Sequence, residues 1–417
     1  MRVVVVGGGV VGLSTAYFLL RAGADVTVLT DRDPGEGASA VNAGWVAPSL
    51  SGPVPGPGVL SGSLRWLLRP DSPFYVRPRL DPGFLRWLLA FRAHCNARAH
   101  AAGLDAVAEL NRRTLGLYDE LRADGLAFDE HRTGLVMAYR HARDADDEIA
   151  ASGWLGSYGL SAPVPGRPQD LEPALGDDIQ GAYFLPVDRH VDPGRLTAAL
   201  AEAIRRRGGQ VLSGTRVIRV EPGGTAGGVP AGGTGATVIG EADRWPADSV
   251  VVAAGAWTPT LLGASRRHIP IIGGKGYALD FAPAPVALRQ ALYLHDDRVA
   301  GSPYDGRIRL SGTMELTGLD MSVSTRRVSA IARAAGRSLR GWPPGATPFR
   351  VSAGLRPLTP DGLPVIGPVP GAPGVWVASG HSMLGVTLGP ATGEALASAM
   401  TGTPAGVLRP FDPRRFS

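Results

Sequence analysis

The run Val-Val-Val-Val-Gly-Gly-Gly-Val-Val-Gly over residues 3–12 puts Gly7, Gly9 and Gly12 in a GxGxxG spacing at the start of the chain. Four valines suit a strand covered on both faces. Leu13-Ser-Thr-Ala-Tyr-Phe-Leu-Leu20 then reads as a helix, and Asp25–Leu29 as a second strand. In such a unit the first glycine permits the tight turn and the second lets backbone approach a pyrophosphate. The third lets the helix lie close to the strand. Free N–H groups at the helix start, with the helix dipole, favour phosphate charge. The segment predicts a dinucleotide-binding βαβ unit, and with it an α/β fold built on a parallel sheet.

A chain of 417 residues has room for two domains. Its 44% hydrophobic content excludes disorder, and its 58 glycines and 36 prolines follow no repeat. Net charge is 42 − 37 = +5. The one tight basic run, Arg205-Arg-Arg207, precedes a glycine pair at an expected helix end, where cations complement the dipole. No nucleic-acid partner is expected. The single cysteine, Cys95, excludes an internal disulfide framework and a multi-cysteine metal site, and no metal is expected. The N-terminal apolar run continues into the glycine motif and does not read as a secretory leader. No window approaches the roughly twenty apolar residues of a membrane span. The expectation is a soluble cytoplasmic protein.

Beyond the first βαβ, residues 33–40 read as a loop, and 50–82 are proline-rich with a short helix candidate at Leu64–Leu68. Helical periodicity runs from Gly83 to Ala123. Asp192-Pro193 opens an amphipathic helix to Arg207, as cap and first-turn residues. Strands follow at Gln210–Ser213 and Thr215–Val220, a Gly-rich loop at 222–235, and a buried strand from Ser249 into Gly255. Residues 270–325 alternate as strands do, and 354–400 hold a strand at Val375–Ala378, a glycine turn and a closing helix. The expected architecture is a discontinuous Rossmann-like domain (1–50, 168–262 and 345–417). An inserted α+β substrate domain with an antiparallel sheet takes 51–167 and 263–344.

Three later motifs point to FAD rather than a nicotinamide. Ser39-Ala-Val-Asn42-Ala-Gly44 follows the second strand with small and amide residues. Val252-Ala-Ala-Gly255-Ala-Trp257 runs a strand into a glycine turn. Gly354-Leu-Arg-Pro357 with Thr359-Pro-Asp-Gly362 precedes Gly380-His381 and the last helix. With the Arg- and Trp-rich segment 65–95, Leu171-Glu-Pro-Ala-Leu175 and Lys275-Gly-Tyr277, this order of motifs resembles the D-amino-acid oxidase superfamily. The likeness is closest to its D-amino-acid dehydrogenase and glycine oxidase branch, and covers nearly the whole chain.

The resemblance implies FAD, held non-covalently because the lone Cys95 lies in the expected helical lobe, with Gly7, Gly9, Val11 and Gly12 at the pyrophosphate and Ser39, Asn42 and Gly44 along the flavin phosphate and ribityl chain. Val217 would meet adenine, and Ala254, Gly255 and Trp257 would lie along the dinucleotide. Gly380, His381 and the N–H groups of Leu384, Gly385, Val386 and Thr387 would face the flavin, where a helix start stabilises negative charge. The family's ribose-binding acid at the end of the second strand is displaced here: Thr30 follows Leu29, and Asp31 comes one residue late. Asp31 is the favoured ligand and Thr30 the alternative. The family's carboxylate-binding arginine is replaced by Pro303-Tyr304. Arg356 becomes the candidate clamp, with a structural ion pair or a flavin contact as the alternatives, and Tyr304, Tyr277 and Lys275 are helpers, the last two equally readable as strand residues with exposed tips. His381 either tunes the flavin, takes the amine proton, or serves as a buried structural histidine. The implied activity is oxidative deamination, a D-amino acid favoured, by hydride transfer from the amine-bearing carbon to flavin N5, with oxygen or quinone as acceptor. Competing readings are a sarcosine-, glycine- or imino-acid-type oxidase, a natural-product tailoring oxidase, and a non-catalytic flavin protein. A membrane-associated quinone-linked dehydrogenase also competes, since Leu64–Arg69 and Phe84–Arg92 mix Trp, Leu and Arg as interfacial helices do.

Overall fold

Strand β1 (Arg2–Val6) lies between β2 (Asp25–Leu29) and the strand Ser249–Val252, parallel to both. The computed structural model, which describes residues 1–59, 72–224, 235–403 and 405–417, extends this trio into a six-stranded sheet. Gln210–Leu212 pairs outside β2, and Val375–Ser379 pairs beside Ser249–Val252. An antiparallel edge strand, Val365–Pro368, completes it. Val3 and Val5 point into a helical core, and Val4 and Val6 into a second core on the other face. That two-sided burial explains why β1 is a run of valines rather than an alternating strand.

The helical face carries α1 (Val10–Arg21), the helix Pro193–Arg206 and the C-terminal helix Gly385–Met400. Asp192 caps Pro193–Arg206 as expected, its Oδ1 accepting from the Gly194 and Arg195 N–H groups at 2.9 and 3.3 Å. The opposite face is covered by a three-stranded antiparallel sheet, Val217–Glu221, Ala236–Gly240 and Arg244–Ala247.

A second, nine-stranded sheet runs Arg350–Leu358, Ile272–Phe281, Arg307–Leu316, Val299–Tyr304, Ala291–Leu294, Leu135–Tyr139, Gly181–Leu185 and Val164–Pro165, with Phe74–Val76 beside Arg307–Leu316. Its pairings are antiparallel except two. One face packs on the helix Thr325–Ser338 through Tyr277, Leu279, Leu310 and Ile331. The other face turns toward the glycine-rich layer, where Arg309 donates to the carbonyls of Ala40 and Asn42 at 2.7 and 3.0 Å.

The two sheets divide the chain differently from the expected segments. Gly181–Leu185 and Arg350–Leu358, placed by sequence in the nucleotide-binding segments, are strands of the second sheet. Helices Ala97–Asn111 and Thr114–Ala123, placed in the inserted segment, share a core with α1 and the C-terminal helix. Turn residues mark where elements end, but the layer an element joins depends on long-range pairing. The helix candidate Leu64–Leu68 and most of the 222–235 loop lie outside the described residues.

Candidate active site

At the C-terminal end of β1, Gly7 adopts φ +121°, and a Cβ there would stand 2.4 Å from the Ala253 carbonyl oxygen. A Cβ on Gly12 would lie 2.0 Å from the Gly7 oxygen, so strand, turn and helix touch with no room for a side chain. Gly9 occupies the N-cap of α1 without a side-chain cap, and Ser39 Oγ accepts from Val10 N at 3.0 Å. Ser39 therefore sits where the helix dipole presents its positive end.

The C-terminal helix runs parallel to α1 and close to it. Gly385 and Gly389 approach Val10, and a Cβ on Gly393 would meet the Ser14 backbone at 2.7 Å. The two N-termini consequently lie side by side. Across them passes the segment Asn42–Ala47. Asn42 Nδ2 donates to the Met383 carbonyl at 3.1 Å, while Thr387 Oγ1 donates to the Trp45 carbonyl at 2.9 Å and accepts from Ala47 N at 3.2 Å. Gly44, at φ +81°, has no room for a Cβ against the Val191 carbonyl. Val217 and Ala254 both border the core that holds Leu29. Gly255 opens the 3₁₀ turn that carries the half-buried Trp257. Gly380, at φ +80°, makes the turn before the last helix.

The second sheet closes this space with a floor of small residues. Strand pairing puts Gly354 opposite Gly276 and Arg356 opposite Gly274. Ala278 pairs with Ser311, and Ser311 with Ala300. Since paired residues share a face and alternate residues return to it, all of these point one way. The direction is toward the glycine-rich layer, because Gly354 abuts Ala38 and Val41. Arg356 lies over Gly276, where a Cβ would meet its guanidinium at 2.1 Å, and its Nη1 donates to the Thr313 carbonyl at 2.7 Å. Thr313 stands at φ +69° within a β-bulge opposite Gly276, which turns its carbonyl to the arginine. No carboxylate among the described residues pairs with Arg356, and burial pulls its pKa down to about 10, so it stays charged at neutral pH. Tyr293, near enough to act electrostatically on Arg356, stands edge-on to Trp45 at 5.8 Å, and Trp45 Nε1 is pinned to Ser302 Oγ at 2.9 Å.

Residues 2–399 match the FAD dependent oxidoreductase family. The chain belongs to that family. Similar proteins include the D-amino acid dehydrogenases of Methylobacterium nodulans and Xanthobacter autotrophicus, each 34% identical over 96% of both chains. In fold it is similar to glycine oxidase from Geobacillus kaustophilus, with TM-score 0.75 and 23% identity over 99% of this chain and 98% of that one. Iminodiacetate oxidase from Chelativorans sp. BNC1 gives TM-score 0.71 and 23% identity, over 99% of each chain.

For an FAD dependent oxidoreductase, the cofactor has to find phosphate donors and a long, narrow trough. The side-chain-free contact of Gly7 and Gly12, the open α1 start and the adjoining second helix start fit a pyrophosphate and a flavin held along the same edge. The residues expected to line FAD are thus brought together, with one exception. Thr30 is buried against Gly8, where a Cβ would meet its side chain at 2.8 Å, whereas Asp31 is exposed and faces Arg32 at 3.7 Å. The favoured Asp31 does not occupy the position beside the glycine loop, because β2 ends in register with β1 at Leu29 and no extra residue enters the turn.

Four of the five residues expected to act on substrate are placed elsewhere or already engaged. Lys275 and Tyr277 alternate with Gly274 and Gly276, and so lie on the far face of the sheet. There Lys275 Nζ reaches the Ser322 carbonyl at 2.8 Å and Asp320 at 3.3 Å, and Tyr277 donates to Glu315 at 2.6 Å. Tyr304 is buried with its hydroxyl donated to the Ala43 carbonyl at 2.9 Å, and burial raises its pKa. It supports the Asn42–Gly44 loop from beneath. His381 is buried, bonded through Nε2 to Thr392 Oγ1 at 2.9 Å, and desolvation lowers its pKa to about 3. It is neutral and anchors the turn into the last helix. Arg356 alone of the five faces the trough. Sequence reading missed Tyr293, whose only trace was an alternating strand, Ala291–Leu294.

Proposed function

We propose that this oxidoreductase oxidises the amine-bearing carbon of a D-amino acid, with Arg356 holding the substrate carboxylate. The observation that carries the reading is a half-buried guanidinium that, among the described residues, has one backbone acceptor and no acid partner, and that lies on the FAD-facing side of the sheet. A planar cation in a desolvated setting pairs strongly with a carboxylate through two parallel hydrogen bonds. The names of the D-amino acid dehydrogenase relatives supply the amino-acid class.

FAD, when bound, supplies the two-electron acceptor for the C–H bond of the substrate. The chain's own contribution is placement. Arg356 fixes one end of the substrate, the Gly276–Ala278–Ser311 floor leaves room for it, and Trp45 with Tyr293 stands where a side chain would extend. The start of α1 would face the pyrophosphate, and the start of the helix Gly385–Met400 would turn its positive dipole end toward the flavin, where it favours the negative charge that reduction brings. The product imine takes up water to give a keto acid and ammonia. His381, enclosed and bonded to Thr392, serves to anchor the turn into the last helix rather than to handle the amine proton.

Anaerobic mixing with D- and L-amino acids, glycine, sarcosine and proline tests the proposal through loss of the flavin's visible absorbance. Rapid bleaching by D-amino acids is expected. Bleaching by L-amino acids alone, or only by sarcosine or proline, overturns the substrate class. Readmitting oxygen or adding a soluble quinone then assigns the acceptor, oxygen or quinone, by which one restores the colour.

A further inference from the structure

Ser311 stands in the floor of small residues, paired with Ala278 on one side and Ala300 on the other. It is 5% exposed, and its hydroxyl has no hydrogen-bond partner among the described residues. No other described side chain on the strands Ile272–Phe281, Val299–Tyr304, Arg307–Leu316 and Arg350–Leu358 has a buried polar atom left in that state. A buried hydroxyl without a partner is costly unless something pairs with it in the working protein. Its polar neighbours on the same face are committed. Arg309 holds Asp280 through two hydrogen bonds at 2.9 and 3.0 Å and reaches the Ala40 and Asn42 carbonyls. Ser302 Oγ donates to the Ala43 carbonyl at 2.7 Å while accepting from Trp45 Nε1. Ala278 and Ala300 offer only methyl groups. Tyr293 follows Ala300 in the same row, and Gly276, next to Ala278 on this face, lies beneath the Arg356 guanidinium. Strand spacing sets Ser311 and Gly276 about 8 Å apart on the diagonal.

We propose that the Ser311 hydroxyl accepts a hydrogen bond from the α-amine of the substrate, fixing the amine-bearing carbon relative to the carboxylate. The proposal rests on the reading of Arg356 as the carboxylate clamp. An amino acid held there carries its amine one carbon further on. A guanidinium–carboxylate contact and an amine–hydroxyl contact of about 2.9 Å each, joined through that carbon, bridge the diagonal between the two floor positions. The amine lies between the floor and the glycine-rich layer, where its N–H groups need an acceptor as much as the hydroxyl needs a partner. By accepting rather than donating, the hydroxyl leaves the nitrogen lone pair free for the oxidation. The contact involves only the amine, so it acts alike on substrates with different side chains.

Ser311→Ala in the FAD-loaded protein tests this with D-alanine, D-serine and propionate, which keeps the carboxylate and lacks the amine. Anaerobic flavin bleaching measures affinity for the two amino acids, and perturbation of the flavin absorbance measures it for propionate. The variant is expected to bind both amino acids about five- to tenfold more weakly and propionate as the parent does. Unchanged affinity for D-alanine would mean that the hydroxyl meets only water, and overturns the proposal. So does a loss confined to D-serine, which would give the hydroxyl to a side chain. An equal loss for propionate also overturns it, since Ser311 would then serve the carboxylate site or the fold. Failure of propionate to bind the parent overturns the Arg356 reading instead, while the D-alanine comparison still decides for or against Ser311. No bleaching of the parent by either amino acid overturns both.

Discussion

Arg356 keeps its charge in a half-buried place because the Thr313 carbonyl offers partial compensation and its position opposite glycine gives it space. That leaves most of the guanidinium's donors for a ligand. Arg356→Lys preserves charge but not the two-pronged geometry, a loss of about 2–3 kcal/mol for a charge-assisted pair. The expected result is a KM raised about 30- to 150-fold, with a smaller change in the limiting rate of flavin reduction, read by stopped-flow. At the other end of the trough, Thr30 rather than Asp31 adjoins the glycine loop. Thr30→Val is therefore expected to weaken FAD binding to the apoprotein severalfold, and Asp31→Asn to leave it unchanged, as followed by flavin fluorescence. The opposite ranking would show that the acid reaches the ribose after all. Both cases mark the limit of reading single positions. The spacing singled out Thr30 and Asp31 but not which of the two faces the glycine loop.

At the scale of elements, local chemistry was legible and strand parity was not. The glycine turn and the Asp192 cap are each set within a few neighbouring residues and appear where the sequence put them, and the helix ends at Arg206, one residue before the expected Arg207. Ile272–Phe281 is buried on both faces almost throughout, so no alternation of polarity announces which residues face the trough. Lys275 and Tyr277 were misassigned for that reason, and the bulge at Thr313 left no mark in the sequence at all. A β-branched residue at φ +69° is strained. Thr313→Gly is expected to stabilise the protein by about 1 kcal/mol in denaturant unfolding while raising KM, because the carbonyl that orients Arg356 is held less firmly. The helix pair gives a second test. Gly393→Val forces a side chain onto the Ser14 backbone and is expected to cost about 1–3 kcal/mol and to weaken FAD binding by separating the two helix starts. Gly116→Ala, in a helix where nothing lies within 4 Å, is expected to add up to about 1 kcal/mol instead.

Across the whole molecule, several charged or titratable groups are buried between the layers, and apart from His381, for which a buried structural role was one of the readings, no sequence pattern revealed them, because burial is a property of the assembled sheets. His190, stacked on His131 at 4.5 Å, has its pKa lowered to about 4 by burial and by that neighbour. Burial likewise lowers His295 to about 4 and His381 to about 3. Asp188, buried behind Ser49, is pushed up to about 7. The histidines stay neutral in the native state while their unfolded counterparts titrate near 6.5, so on their account stability is full above that value and is lost as pH falls toward 4. Asp188 acts in the opposite sense, since its native carboxyl holds a proton that the unfolded chain releases above about 4. At pH 5 the unfolded state thus binds about three extra protons at the histidines and about one fewer at the aspartate, a net of about two. The expected outcome is a urea midpoint clearly lower at pH 5 than at pH 7. Asp188→Asn mimics the protonated native carboxyl and removes the opposing proton, so it should steepen the pH dependence between 4.5 and 6 by about half. A midpoint that does not change between pH 5 and 7 would mean that these histidines are hydrated or paired in the native protein, and that the layers around the site are less tightly closed than their packing indicates.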